Sequence, residues 1–440
     1  METIVPDRLT KFKIFLFWGP LALTWLMMAL EQPILIAFIA RLNDAKFNLA
    51  AFGIAGSFAM LIEAPIIMLL SASTALVTGR NSYRKLKKFT DILNGAITGI
   101  HFLFIIPPVF NFIAVDMMEV PENVAKLAYT ALVIFIPWSA SIGYRRFYQG
   151  ILIRKGLTRM VTYGTLVRIS VIIAVGLILY LAGLPGAYVG AAAMSAAVLL
   201  EAIATRIMVS RALKEVLDTD DPENRDLSMK QVTRFYTPLA MTSVLSMGVH
   251  PFVTFFLARS YMAIESIAVL EVVGSLVFIF RSVGLSFQEV NIALLGRGKH
   301  NFDIMRSYAI SLGTIVTLLI SVVAFTPLAD FWFINISGLT EELAGLSYLP
   351  LKIMILMPAL TLLMSFQRST LVLGGRTGPI SVSTAIELLV IVFVLFICIS
   401  FFNIIGVVAA SIAFLAGRVI SSMYLLPIHA SVVRGWNSGK

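Results

Sequence analysis

The chain has 440 residues, 59% of them apolar and 13% charged, and its mean hydropathy is +0.92. Soluble domains run at roughly 45–50% apolar and about 25% charged, so this excess requires a lipid solvent and excludes a soluble enzyme, a disordered chain and a secreted disulfide scaffold. The net charge of +10 reads as basic loops on one side of a membrane, not as a nucleic-acid footprint.

A bilayer-spanning helix needs about 20 apolar residues. Twelve stretches qualify: 14–40, 49–78, 90–113, 124–147, 160–182, 186–208, 232–258, 266–290, 305–328, 346–368, 379–402 and 405–428. Their unbroken apolar runs exclude a β-barrel, whose strands alternate over about ten residues. The first run is too long for a signal peptide and is read as span 1.

Charges alternate between the loops. After span 2 come Arg80, Arg84, Lys85, Lys87 and Lys88; after span 4 come Arg154, Lys155 and Arg159, close behind Arg145 and Arg146; after span 8 come Arg297 and Lys299. The loops after spans 3 and 9 carry acids instead: Asp116, Glu119 and Glu122, then Asp330, Glu341 and Glu342. The positive-inside rule places both termini in the cytoplasm of a multi-pass protein of the plasma (inner) membrane. Segment 211–230, with Asp218, Asp220, Asp221, Pro222 and Glu223, is the long polar stretch at the midpoint. The expected organisation is a six-helix bundle at 1–210, a cytoplasmic linker at 211–230 and a second bundle at 231–440.

The halves repeat. Shifted by 218 residues, FWGPLALT at 17–24 faces FYTPLAMT at 235–242, Pro33 faces Pro251, and nine of the 25 positions from 17 to 41 are identical. Later, Pro137 faces Pro358, Gly156 faces Gly375 and Gly186 faces Gly406. Six spans per repeat make the repeats parallel, with a pseudo-two-fold along the membrane normal. Such repeats recur in transporters that alternate access around a site at the repeat interface.

Two parallel six-helix bundles of this length, Pro20 and Gln32 in span 1, and LAAFGIAGS at 49–57 resemble the multidrug/oligosaccharidyl-lipid/polysaccharide (MOP) superfamily and its MATE branch. Glu31-Gln32, LAAFGIAGSF, GILIRKG at 150–156 and PLKI at 350–353 look closest to the progressive ankylosis (ANK) family of that superfamily. The resemblance implies an all-α, MATE-like polytopic fold and outward secondary transport: drugs and cations for MATE, small anions such as phosphates or citrate for ANK-type proteins, lipid-linked sugars for other branches. Many MATE proteins carry an aspartate in span 1 one turn beyond this glutamine. Leu35 lies near there and Glu31 comes earlier, so that coupling site does not carry over directly.

Ionisable residues within spans cost about 2.5–3.5 kcal/mol each on insertion scales and mark function by default. The duplication sorts them. Arg168 faces Glu387; Glu201 faces Ser421, one turn from Arg418. Equal depth predicts two salt bridges of reversed sign, Arg168–Glu201 and Arg418–Glu387, serving either as helix staples or as coupling-ion sites. Glu63 faces Arg281, as gate partners, as an anion site at Arg281, or with local partners in each half. Glu31 and Gln32 face Val249 and His250, each just before a proline whose kink suits a cavity wall. Glu31 is the candidate protonatable residue, or a satisfied polar group at a kink. Lys352 attracts anions at the outer mouth or snorkels to the interface. Glu271 and Glu289 are expected to be solvated near span ends.

One cysteine, Cys398, and four scattered histidines predict no metal site and no resident cofactor, leaving H⁺ or Na⁺ as coupling ion. No GxxxxGK[ST], HExxH or GxSxG motif is present. The expected function is a secondary active exporter, not an enzyme, moving a small anionic or amphiphilic organic solute. A flippase for a lipid-linked precursor is the alternative, and an intramembrane lipid-processing enzyme comes third. The expected partners are its substrate and membrane lipids, not nucleic acid, with the protein a monomer.

Overall fold

The computed structural model describes residues 9–221, 227–297 and 301–437, and it is built of α-helices. The loop cation Lys299 and the linker residues Pro222 and Glu223 lie outside the described residues.

The first six spans use ten helices. Span 1 is α1 (Lys11–Ala29) and α2 (Glu31–Ile39); span 2 is α3 (Ala45–Glu63) and α4 (Leu69–Leu76). Span 3 is α5 (Arg80–Phe104), bent by 72° into α6 (Pro107–Asn111) and a π-helical turn at Phe112–Met117. Span 4 is α7 (Glu122–Ile134) and α8 (Ile136–Arg154), followed by α9 (Thr158–Leu181) and α10 (Gly186–Met208). α11 (Ser210–Asp218) is the short amphipathic start of the linker.

The second series runs α12 (Met229–Met247), α13 (Val249–Ala258), α14 (Ala263–Arg297), α15 (Phe302–Phe325), α16 (Leu328–Asp330), α17 (Glu341–Ile353), α18 (Met357–Leu373), α19 (Gly378–Ser400) and α20 (Gly406–Asn437). Among the described residues eleven helices are long and apolar enough to cross a membrane, and the bent α5–α6 pair makes a twelfth. Each corresponds to one expected span. The ends differ: α5 starts at Arg80, so the expected loop cations Arg84, Lys85, Lys87 and Lys88 ride on its first turns. They are tolerated because their faces alternate with buried Ser82 and Leu86.

The duplication is visible in the backbone. Proline lacks an N–H, so the carbonyl four residues earlier loses its partner. For Pro33 that carbonyl belongs to Ala29, and for Pro251 to Met247; α1 and α12 end at those residues. A second π-helical turn, Phe331–Ile336, sits 219 residues after the first. Among the described residues, all those of positive φ pair across the repeat: Asp44 with Met262, Glu119 with Gly338, Gly156 with Gly375, and Gly183 with Asn403. Glycine is free of the Cβ clash at such turns, and Gly156 and Gly375 hold nearly equal φ values of 73° and 70°.

Two compact units result. One comprises Met1–Pro33, Val272–Ile336 and Thr340–Lys440; the other comprises Ile34–Glu271 and Ser337–Leu339. They differ from the expected halves 1–210 and 231–440 because most of span 1 and all of span 7 change places. The physical cause is side-chain packing. In the first unit Ile14 and Trp18 pack with Phe287, Tyr308 and Phe366, and Trp18 Nε1 donates to Ser286 Oγ at 2.8 Å. In the second, Val232 packs with Val77, Leu86 and Phe147, and the Tyr236 hydroxyl donates to the carbonyl of Pro65.

Long-range polar ties finish the helix ends. Asn48 Oδ1 accepts the N–H of Ala187 at the start of α10, 2.9 Å away. Asp221 caps α5 from the linker: its carboxylate accepts the N–H groups of Asn81 and Ser82 at 2.8 and 2.9 Å, and the hydroxyls of Thr78 and Ser82. Burial alone would raise the Asp221 pKa, but these bonds outweigh it and hold the carboxyl below its ordinary value.

Candidate functional site

Each unit holds a cluster of charges, buried in one and half-buried in the other. In the second unit the centre is Glu201 on α10, fully buried. Arg145 Nη1 on α8 donates to its Oε2 at 2.5 Å and Gln149 Nε2, one turn along, donates to Oε1 at 3.0 Å. Arg168 Nε on α9 lies 3.5 Å from Oε2. Gly164, one turn before Arg168 on α9, faces the same carboxylate: a Cβ there would sit in ordinary contact, 3.4 Å from Glu201 Oε1. Arg146 and Glu63, the last residue of α3, complete the cluster; the fields of Arg145 and Arg146 act on Glu63.

In the first unit the cluster holds Arg281 on α14, Arg368 on α18, and Glu387 and Arg418 on α19 and α20. Arg418 Nη2 lies 2.9 Å from Glu387 Oε1 with both side chains 12% exposed. Arg418 Nη1 also reaches Met364 Sδ at 3.4 Å, Arg281 Nε donates to Thr361 Oγ1 at 3.2 Å, and Arg368 Nη2 donates to Thr384 Oγ1 at 3.1 Å. The buried Nε atoms of Arg368 and Arg418 have no acceptor among the described residues. Three guanidinium groups thus stand against one carboxylate, with donors to spare. Such a cluster can receive an anion by charge-assisted hydrogen bonds.

The expected pairs Arg168–Glu201 and Arg418–Glu387 are therefore brought within contact distance. Glu63 and Arg281 each have neighbours inside their own unit. Glu31 is buried at the start of α2, Gln32 is half-buried beside it, and His250 is exposed at the start of α13. Lys352 is exposed, its ammonium 5.5 Å from the ring centre of Phe325. Glu271 is half-buried and leans on Gly53, where a Cβ would come within 3.0 Å of its Cγ and Oε1.

Arg145, Arg146 and Arg368 are the residues that span-by-span reading misses. It places them at the ends of spans 4 and 10, yet α8 runs on to Arg154 and α18 to Leu373. A usable signal exists: Arg145-Arg146 and Gln367-Arg368 stand at nearly the same distance beyond the paired prolines Pro137 and Pro358. Among the described residues no group of three or more His, Cys, Asp or Glu could hold a metal ion.

The MatE family model matches residues 20–178. No curated protein matches the chain in sequence. Among solved structures, an inward-facing multidrug resistance MATE family transporter of the MOP superfamily superposes with a TM-score of 0.73 at 14% identity, over 94% of this chain and 96% of the other. The lipid II flippase MurJ in an inward closed conformation gives 0.71 at 14% identity, over 94% and 87%. A MOP superfamily transporter from Pyrococcus furiosus, described as having a binding pocket of reversed polarity, gives 0.60 at 16% identity, over 98% and 99%. The fold is that of the MATE-like membrane transporters, and the expected MOP-type architecture stands.

Proposed function

We propose, from a chain with a MatE region and a MOP-superfamily fold, a secondary active transporter for a small anionic organic solute. The half-buried arginine excess of Arg281, Arg368 and Arg418 over Glu387 carries this reading. A cationic drug would meet repulsion there, whereas a carboxylate or phosphate would satisfy the spare guanidinium donors. The ANK-like motifs point the same way. Alternating access of the protein as a monomer in the plasma membrane, with both termini in the cytoplasm, would move the solute without chemical change. Neither a hydrolytic nor a transfer step is part of this reading.

In the second unit Glu201 already takes bonds from Arg145 and Gln149, which favours a structural staple. Glu31, buried beside the Pro33 kink, is the better candidate for carrying H⁺ or Na⁺ coupling. MurJ gives the flippase alternative a specific basis in shared fold, since it is described as a flippase of lipid II.

Proteoliposomes preloaded with labelled organic anions test the proposal. Gradient-driven anion flux is expected, lost in Arg281→Gln, with Glu31→Gln still binding but no longer responding to a proton or sodium gradient. Flux of cationic dyes alone, or movement of lipid-linked sugars without anion flux, would overturn the anionic reading.

A further inference from the structure

A groove of about 800 Å³ runs along the first unit between α15, α18 and α20. It is separate from the arginine cluster of the proposed transport reading, and its walls sort by depth. At one end stand two exposed arginines, Arg306 in the second turn of α15 and Arg434 in the last turn of α20. Arg376, in the turn between α18 and α19, lies 3.5 Å from Ser431 on the same end of α20. Trp436 packs edge-on against Phe302 there, the residue type that collects at membrane interfaces.

About 9–12 Å inward from the helix ends, by the 1.5 Å rise per residue, come Gln367 and His429. Gln367 is 0% exposed; its amide N donates to Ser422 O, while its Oε1 has no partner. Nδ1 of His429 is likewise buried without a partner. Beyond them the wall is mostly apolar, with Leu362 behind, Ile310, Leu318 and Leu426 exposed along the flank, and Thr314 and Thr317 adding two hydroxyls. From Phe302 to Leu318 the groove extends about 24 Å, close to the ~20–22 Å of one leaflet with its headgroups.

We infer that this groove is a binding site for an anionic phospholipid of the leaflet facing the basic loops. Arg306 and Arg434 would hold the phosphate, Gln367 and His429 would meet the hydroxyl and ester groups of the glycerol region, and the apolar flank would take an acyl chain. The sequence of charge, buried polar atoms and hydrocarbon matches such a lipid from head to tail. A soluble anion has no use for the apolar inner half, and a neutral lipid has none for the arginines.

Native mass spectrometry of the full chain, purified in detergent with added phosphatidylglycerol or phosphatidylcholine, tests the site. Phosphatidylglycerol should be retained preferentially. Retention should fall about 5-fold per arginine removed in Arg306→Gln and Arg434→Gln, from about 1 kcal/mol per basic residue near an anionic surface. Thr314→Trp, which fills the apolar part from an exposed position, should displace the lipid with both arginines intact. Equal retention of the two lipids, unchanged retention in these variants, or full displacement by inorganic phosphate would overturn the assignment. Because the readout is lipid retention in detergent, it is independent of any transport measurement.

Discussion

The two charge clusters occupy corresponding helices yet differ in balance. Around Glu201 three arginines stand with two carboxylates, and Glu201 itself is saturated by Arg145, Gln149 and the nearby Arg168. Around Glu387 three arginines share one acid; spare Nε donors do not separate the clusters, since Arg146 in the first has one as Arg368 and Arg418 do in the second. Ion pairs out of water stabilise little by themselves, but losing one partner strands the other. A closed network is thus suited to hold helices together, and an open one to accept a charge from outside. The duplicated bundle thus carries an ion pair in both copies, with a different balance of acids and bases around each.

The largest expected effect comes from the closed side. Glu201→Gln strands Arg145 and Arg168 in a fully buried site and should destabilise the protein by about 3–5 kcal/mol, read by thermal unfolding in detergent. A loss no greater than that of an exposed variant would break the contrast between the clusters. Glu387→Gln removes a partly wetted partner and should cost less, about 2 kcal/mol, in the range for hydrogen bonds to charged groups. Added citrate or phosphate should worsen neither variant, but should raise the unfolding temperature of wild type and of Glu387→Gln while leaving an Arg281→Gln, Arg368→Gln double variant unmoved.

Smaller still is the cap at Asp221. Asp221→Asn should cost about 1 kcal/mol, as capping losses do. The sign with pH follows from the lowered folded-state pKa: the stabilisation is full above the unfolded aspartate value of about 3.9 and is lost as pH falls through the depressed folded value. The acid limb of a stability profile should flatten in Asp221→Asn and not in Asp220→Asn. The smallest effect belongs to Lys352→Gln, within about 0.5 kcal/mol for an exposed residue. If this variant cuts anion flux as deeply as Arg281→Gln, the outer surface and not the arginine cluster sets the selectivity.

Membrane residence, span number and the pairs Arg168–Glu201 and Glu387–Arg418 were legible in the sequence, because hydropathy fixes depth and the duplication fixes which helices correspond. Arg145, Arg146 and Arg368 were hidden because a hydropathy run stops at a charge, while a helix with a partner waiting for that charge does not. Asp221 read as one more linker acid, since a cap supplied from 140 residues away leaves no local pattern. The exchange of spans 1 and 7 between units was invisible for the same reason: it is decided by what Trp18 and Tyr236 touch, not by where they stand in the chain.

The contact of Glu271 with Gly53 has an evolutionary consequence. The two residues are 218 positions apart, the repeat distance, so each is the other's counterpart. In an assembly of two identical six-helix chains this position would confront itself: glutamate would meet glutamate, or glycine would leave a void. Only after fusion could one copy supply the side chain and the other the space. The Gly53–Glu271 pair therefore records an asymmetry that a homodimeric ancestor could not have carried.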